Sequence, residues 1–459
     1  MNELKYFEKL DCIDSIMNSV DKLGYDHAFV NIAPYLESPH ICQYYLDQIE
    51  NENWMSVIMN SEFISFYRSG KIPTIENNMF DWFFMSYLLK VVDKIPEQVP
   101  AYLNEIINID DERLHGRIIE VMIQLPCDMV ADLVQKEVEW CSAKKKIYGL
   151  YPEFAGKLIL HIQECNEEVA FELINELLKV DVVIREVGEP DTESYYKNID
   201  VEAKYSDWEY QSILNKYISK YVINSNNKLQ FLAYLFEYFA NVLRLENEES
   251  KNDYSWVWRN TLEDNEQTRH ISGIKEYLLV FIRDTCIDLI KEDNSLFKKI
   301  TQKLNEYEWT IFKRLAIYLD FKFPNIDLEM TQQLLSNTVL YESSRTRNEY
   351  SLLLDSAFGL VGEEVQNTIF NWIENGTDLQ DYINRYMEHI GNQPSNEEIE
   401  DYKIYWKKTR LHLIRNHLEG EKLAEYHALV EAKGVPDHPE YSSYITSWVG
   451  PTSPMTVEE

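Results

Sequence analysis

Between residues 38 and 180 the chain repeats one pattern: an amphipathic helix, a short break, and a second amphipathic helix. The corresponding break residues are Pro96, Pro126 and Asn166, which lie 30 and then 40 positions apart. Spacings of this size are typical of two-helix repeats. Because neither helix of such a pair can bury its apolar stripe alone, each pair is expected to stack on the next. The pattern therefore predicts an array of stacked helix pairs.

The second copy shows the helical period most clearly. After the break at residues 125–128, apolar residues recur at the spacing of one helix face. Proline in the break suits the first turn of a helix, where no amide donor is needed. The residues expected on this buried face are Met129, Val130, Leu133, Val134 and Val138.

The arrangement resembles the HEAT-like class of α-solenoids over residues 38–180, and more faintly beyond. The resemblance is one of pattern and includes no diagnostic motif. It implies an all-α, HEAT-like helical-repeat solenoid in two halves, with a surface suited to binding other proteins. The alternative is an ordinary helical domain whose helix pairs echo one another by chance.

The helical period stops between residues 181 and 205. Residues 182–187 and 199–205 read as short strands around a turn. We therefore expect four segments. They are an N-terminal helical-repeat half at 1–180, a linker or small β-hairpin-like insertion at 181–205, a C-terminal helical half at 206–432, and an extended tail at 433–459.

The clearest single helix is predicted at 396–418. Ser395 and Glu398 form a capping-box pattern at its start, and basic residues gather at its other end, as the helix dipole favours. This basic end is a candidate for contact with a partner protein, and the alternative is a solvated helix face. The candidate residues are Lys407, Lys408 and Arg410.

The tail is not helical in pattern, and residues 434–454 combine prolines with aromatic residues. It is similar to the tails of large helical-repeat proteins found in bacterial antiviral-defence loci. That resemblance implies a role in such a system. Trp448 is a candidate partner anchor, and the alternative is that it holds the tail against the last helices.

The chain carries 78 acidic and 44 basic side chains, for a formal net charge of −34. Such a surface repels nucleic-acid phosphates and anionic membranes. We therefore expect no direct contact with nucleic acid and none with a membrane. The expected partner is another protein with basic patches, although the charge is also explained by solubility alone.

The six cysteines show no C-x-x-C pair and no framework spacing. We expect reduced, mostly buried thiols, which favour a cytoplasmic location. The N-terminus lacks the apolar core of a signal peptide. No apolar run approaches the roughly 18 residues that a transmembrane helix requires.

Common enzyme signatures fail on inspection: the sequence has no phosphate-binding loop, no nucleophile elbow and no H-E-x-x-H zinc motif. One constellation is similar to the PD…ExK layout of metal-dependent nucleases, with Pro190 and Asp191 preceding Glu202 and Lys204. In such sites two carboxylates hold Mg²⁺, and the lysine orients or activates the attacking water.

The sequence therefore predicts a non-enzymatic scaffold or recognition subunit that needs no cofactor and no metal. Two alternatives stay open. One is a Mg²⁺-dependent nuclease that uses Asp191, Glu202 and Lys204. The other is an acidic mimic of phosphate or DNA that occupies the basic site of a DNA-binding protein.

Overall fold

The computed structural model describes residues 5–36, 38–60, 80–187, 196–246, 253–259, 261–264, 271 and 273–436. These residues form helices and one two-stranded antiparallel sheet. The predicted all-α fold with a small non-helical insertion is confirmed. The chain divides into two compact units, at residues 1–228 and 229–459.

The first unit contains the region where the sequence repeats. The α-helices among its described residues are α1 (Tyr6–Met17), α2 (Val20–Leu23), α3 (Tyr25–Ile32), α4 (Pro39–Gln48), α5 (Asn53–Met59), α6 (Phe80–Val91), α7 (Val99–Ile106), α8 (Glu112–Met122), α9 (Ala131–Ala143), α10 (Tyr151–Gln163), α11 (Glu167–Leu178), α12 (Asp207–Ile213) and α13 (Ser219–Asn224). A π-helical segment, Leu214–Ile218, joins α12 to α13.

The three predicted helix pairs are present as α6 and α7, α8 and α9, and α10 and α11. The first helices of successive pairs pack in one row, from α4 through α6 and α8 to α10. The second helices, α7, α9 and α11, pack in a second row. This two-row stacking is compatible with a helical-repeat protein, because each pair buries its apolar stripe against the next pair.

Side-chain caps fix where the helices of these pairs begin. The Asp111 carboxylate accepts hydrogen bonds from the first amides of α8, and the Asn166 side chain accepts one from Val169 N at the start of α11. Met129 departs from its predicted place in the buried face. It lies in a 3₁₀ turn, Cys127–Met129, and is 38% exposed, because α9 begins only at Ala131.

A disulfide joins Cys127 to Cys165, with a Cα–Cα distance of 6.1 Å. Cys127 lies in the break between α8 and α9, and Cys165 lies in the break between α10 and α11. The expectation that all six cysteines are reduced is therefore wrong for these two. Their 38-residue separation resembles no motif, and only the stacking of one pair on the next brings the breaks together.

The predicted insertion is a β-hairpin of strands β1 (Val180–Val187) and β2 (Tyr196–Ala203). The strands pair antiparallel in an unbroken register from Val180 opposite Ala203 to Val187 opposite Tyr196. Helix α12 then begins at a capping box formed by Ser206 and Glu209.

The described part of the second unit contains loops and eleven α-helices. They are α14 (Lys228–Glu246), α15 (Ile274–Glu292), α16 (Leu296–Leu304), α17 (Thr310–Lys322), α18 (Leu328–Leu335), α19 (Thr338–Glu342), α20 (Arg347–Ala357), α21 (Glu363–Asn375), α22 (Leu379–Ile390), α23 (Asn396–Leu413) and α24 (Gly420–Lys433). The predicted capping box at Ser395 and Glu398 is confirmed at the start of α23.

A buried ion pair ties a loop of this unit to its helices. Arg314 on α17 donates two hydrogen bonds to the Glu349 carboxylate on α20, at 2.7 and 2.8 Å. Arg314 also donates to the backbone oxygens of Trp256 and Arg259. The loop therefore packs against α17 and α20, and Arg314 satisfies two of its backbone oxygens.

None of the helices in the described part of the chain is long and apolar enough to cross a membrane.

Candidate functional site

The second unit carries an open cleft of about 990 Å³ beside helices α22 and α23. This volume lies at the upper end of the roughly 300–1,000 Å³ that ligand pockets occupy. Tyrosines, one tryptophan and three arginines dominate its lining, so we call it the Tyr–Arg cleft. Its principal lining residues are Arg347, Tyr382, Arg385, Tyr386, Tyr402, Tyr405, Trp406 and Arg410.

Tyrosine contacts hold the two helices of the cleft together. The rings of Tyr382 on α22 and Tyr402 on α23 are stacked, with centroids 3.9 Å apart and planes 8° from parallel. One turn further along α22, the Tyr386 hydroxyl donates a hydrogen bond to the Glu398 carboxylate. This bond raises the pKa of Tyr386 and lowers the pKa of Glu398. Helix α22 has no buried residue of its own, so these contacts position it.

The arginines sit at different depths. Arg410 is only 3% exposed, and its guanidinium lies over the rings of Tyr341 (4.4 Å) and Trp406 (5.5 Å). Arg385 is exposed and pairs with Asp381 one turn away on α22, at 2.7 Å. The contact between the buried Arg410 and these two rings makes this part of the cleft rigid. Arg385 is exposed, so it can leave Asp381 and bind water or a ligand instead.

The charge of the cleft differs from that of the chain. Its lining includes three arginines and three carboxylates, Glu342, Asp378 and Asp381, so these formal charges cancel. The whole chain has a net charge of −34. The cleft is therefore a nearly neutral, aromatic site on a strongly acidic protein.

Of the cations predicted to contact a partner, Arg410 lines this cleft and the other two lie nearby on α23. Lys407 is bonded to Glu374 at 2.8 Å and also pairs with Glu425. Lys408 is 4% exposed and donates to the backbone oxygens of Lys433 and Gly434, both at 2.9 Å. A partner that used Lys407 or Lys408 would have to compete with these contacts. Trp448 lies outside the described residues.

Two members of the predicted nuclease constellation are described, and they sit at the base of the hairpin. Glu202 bonds Lys146 and Arg185, and both bonds lower its pKa. Lys204 is 6% exposed, donates to the Cys141 backbone oxygen at 2.7 Å and lies 3.5 Å from Glu176. Asp191 lies outside the described residues, so the predicted triad stays a prediction.

In the described residues, no group of three or more His, Cys, Asp or Glu side chains is arranged to hold a metal ion.

Sequence reasoning missed the tyrosines of the cleft, although a signal was present. Residues 378–390 have a helical pattern, and a short connection leads from them to the helix predicted at 396–418. An antiparallel pairing of these helices would have placed Tyr382 and Tyr386 opposite Tyr402. Neither helix has an unusual sequence by itself, and the cleft is recognisable only when the aromatic faces of the two helices are compared.

The chain matches no family model, no curated protein and no solved structure.

Proposed function

We propose that this chain is a non-enzymatic recognition module that binds a partner protein through the Tyr–Arg cleft. The observation that carries the proposal is the composition of the cleft. Tyrosine, tryptophan and arginine are the residues that dominate binding hot spots, because they combine large apolar area with polar tips. Here they line one open site on a surface otherwise dominated by carboxylates.

The partner is proposed to carry basic patches around the segment that enters the cleft. The net charge of −34 would speed its approach, since complementary charge chiefly raises association rates. Inside the cleft, aromatic contact would supply most of the affinity. Added salt should therefore lower the association rate constant more than it lowers the affinity.

Two finer assignments belong to the same proposal. The two-row stacking in the first unit supports a HEAT-like solenoid, a scaffold class that binds proteins along extended surfaces. A place in a bacterial antiviral-defence system is supported by the sequence of residues 434–454, most of which lie outside the described residues. A cytoplasmic location is supported by the four cysteines that are free in the structure, and the disulfide between Cys127 and Cys165 argues against it.

The test is affinity capture of the tagged protein from its host, followed by mass spectrometry and binding with purified partner. Tyr405, 45% exposed in the cleft, would be changed to alanine; Tyr148, 68% exposed on the first unit, is the control. We expect Tyr405→Ala to weaken partner binding at least tenfold and Tyr148→Ala to leave it unchanged. Equal binding by both variants would remove the cleft from the proposal, and the absence of any stoichiometric partner would overturn it.

A further inference from the structure

The chain leaves its last described helix beside the Tyr–Arg cleft. Helix α24 ends at Lys433, and Gly434 follows with a φ of +72°, which turns the chain out of the helix. Lys408 on α23 donates to the Lys433 and Gly434 backbone oxygens, both at 2.9 Å. The Lys433 side chain pairs with Asp401 on α23 at 2.8 Å. The end of α24 is therefore held against α23, and Pro436, the last described residue, is buried.

Tyr405 connects this exit point with the cleft. It lies four residues after Asp401 and three before Lys408, so it is a neighbour of both side chains on α23. It also lies three residues after Tyr402, which belongs to the cleft. Tyr405 itself lines the cleft and is 45% exposed. The residues that hold the end of α24 therefore lie about one helical turn from the wall of the cleft.

The other helix of the cleft has an apolar side that lacks a cover. The structure describes all of α22, and none of its residues is buried. Tyr382, Tyr386 and Ile390 recur every fourth residue along this helix and line the cleft. Ile390 is 60% exposed. Because an amphipathic helix usually buries such a stripe, α22 and Tyr405 offer a surface that a further segment can cover.

The sequence that follows Pro436 has a suitable composition for this surface. Residues 441–449 read Tyr-Ser-Ser-Tyr-Ile-Thr-Ser-Trp-Val and contain no charged side chain. Residues 437–459 as a whole contain four carboxylates and no lysine or arginine. The strongly acidic surface of the protein repels such a segment. The cleft is nearly neutral, and its exposed Arg385 can bind a carboxylate.

The cleft is also within reach of this segment. Residues 437–448 span up to about 40 Å when extended, whereas the stretch of α23 from Tyr402 to Arg410 is about 12 Å long. A short tether keeps a segment at an effective concentration on the order of 1 mM. Weak aromatic contacts are therefore sufficient for the segment to occupy the cleft.

We propose that residues 437–459 occupy the Tyr–Arg cleft of their own chain, with the aromatic residues of 441–449 packed against Tyr405 and the apolar side of α22. The segment is then a tethered competitor, and a partner protein binds only by displacing it. The docking stands on the cleft and the exit of the chain, whereas the competition rests on the function proposed above. A partner with basic patches gains from the charge of −34, and the acidic segment does not.

The test uses the full chain with Tyr444→Ser/Trp448→Ser, called the tail variant, and a fluorescent peptide of residues 437–452 as the probe. If the peptide binds an open cleft with a Kd of about 0.1 mM, the tethered copy in wild type should weaken its binding about tenfold. We therefore expect the tail variant to bind the peptide about tenfold more tightly than wild type. The matched control is Tyr148→Ser/Trp208→Ser, which removes two exposed aromatic residues from the first unit and should behave like wild type.

Two further measurements locate the peptide and the tethered segment. Adding Tyr405→Ala to the tail variant should remove the gain in peptide binding, and Ile390→Ala replaces it if circular dichroism shows that Tyr405→Ala does not fold. Amides of α22 should exchange hydrogen about fivefold faster in the tail variant than in wild type, because the covering segment is lost.

The proposal is overturned if the peptide binds neither protein, or binds wild type and the tail variant equally. It is also overturned if peptide binding survives both cleft substitutions, since the peptide then binds elsewhere. A dimer of wild type that the tail variant does not form, measured by sedimentation, would place the segment in the cleft of a second copy instead.

Partner capture separates this proposal from the function proposed above. The tail variant should bind a purified partner more tightly than wild type does. The absence of any partner ends the proposed function and leaves the peptide result standing. Normal partner binding at Tyr405, with equal peptide binding by wild type and the tail variant, ends only the proposal for residues 437–459.

Discussion

The Nδ1 atom of His115 lies 2.8 Å from Oε1 of Glu137, and neither side chain has any exposed surface. His115 Nε2 faces the Ile109 backbone oxygen at 3.0 Å, which can only accept, so Nε2 carries a hydrogen. The Trp140 ring stacks on His115 at 4.0 Å. This pair links α8 to α9 inside the stack of helix pairs.

Replacing His115 alone should lower the free energy of unfolding more than replacing His115 and Glu137 together with apolar residues. We expect His115→Phe to lower the free energy of unfolding by about 3–5 kcal/mol, because the buried Glu137 carboxylate then keeps only the Tyr151 hydroxyl, 3.3 Å away, as a partner. The double variant His115→Phe/Glu137→Leu should recover at least about 1 kcal/mol, since no charge is then left buried. Urea unfolding of the single and double variants measures this, with exposed His27→Gln as control. If the double variant loses the sum of the unfolding free energies lost by the two single variants, the two side chains do not interact.

The buried Asp320 should make stability fall as the pH rises. Desolvation raises the pKa of Asp320 from 3.8 to about 7 in the folded protein. Its Oδ1 accepts from Thr331 at 3.1 Å, and its Oδ2 has no hydrogen-bond partner among the described residues. Because the folded pKa is raised, the ionised form is disfavoured in the folded state. The penalty is absent below about pH 4 and complete above about pH 7.

We therefore expect Asp320→Asn to flatten the fall in stability between pH 4 and pH 8. Between pH 4 and pH 8, wild type should lose about 1–4 kcal/mol more unfolding free energy than Asp320→Asn, which is the free energy of a pKa shift of this size. Unfolding free energies at the two pH values give the slope, and Asp288→Asn, whose side chain is 66% exposed, is the control. If Asp320→Asn loses as much stability as wild type between the two pH values, ionisation of Asp320 does not destabilise the folded protein.

The disulfide between Cys127 and Cys165 should stabilise the first unit. Closing a loop over a separation of 38 residues restricts the unfolded chain and is worth about 3–4 kcal/mol. We expect Cys165→Ser, or reduction of wild type, to lower the free energy of unfolding by about this amount. Adding reductant to Cys127→Ser/Cys165→Ser should change nothing further. An effect of reductant on that double variant would place the sensitive bond elsewhere.

Gly156 on α10 should resist replacement by alanine. A Cβ at this position would come well inside 3.0 Å of the Tyr217 ring, which lies in the π-helical segment. The Tyr217 hydroxyl is held by Glu153 at 2.7 Å, so the ring cannot move away without losing that bond. Alanine favours a helix interior by about 1 kcal/mol over glycine, but we expect Gly156→Ala to be destabilising by about 1–3 kcal/mol because of the clash.

The same substitution made with Tyr217→Ala should lose most of its cost, because the ring that it meets is gone. Thermal unfolding of the four proteins in this cycle provides the measurement. A cost of Gly156→Ala that is equal in both backgrounds would rule out the contact as its cause.

Local patterns predicted the elements of this fold, and tertiary contacts decided what the sequence could not supply. The breaks at Pro96, Pro126 and Asn166 marked real helix pairs, and the capping box at Ser395 marked a real helix start. Both signals lie within a few residues, where spacing determines structure. The insertion was recognisable for the same reason.

The contacts that were missed join residues far apart in sequence. Cys127 meets Cys165, and Tyr382 meets Tyr402, only because particular helices pack at particular angles. Nothing in the spacing of the two cysteines encodes that packing. The two tyrosines could have been matched only by assuming that their helices pair antiparallel. The buried state of Lys408 and Arg410 was missed in the same way, since charged residues on a helix usually face solvent.

The hairpin leaves the helical stack at Val180 and returns at Ala203, and these two residues lie directly opposite each other in the β register. The flanking helices α11 and α12 are therefore already spaced for a short turn. Replacing residues 183–200 with a tight connector keeps the buried Val201 opposite Val182. It should leave the stack intact and remove most of the exposed strand. The hairpin can thus be removed, or replaced by a different one, without redesigning the helices on either side of it.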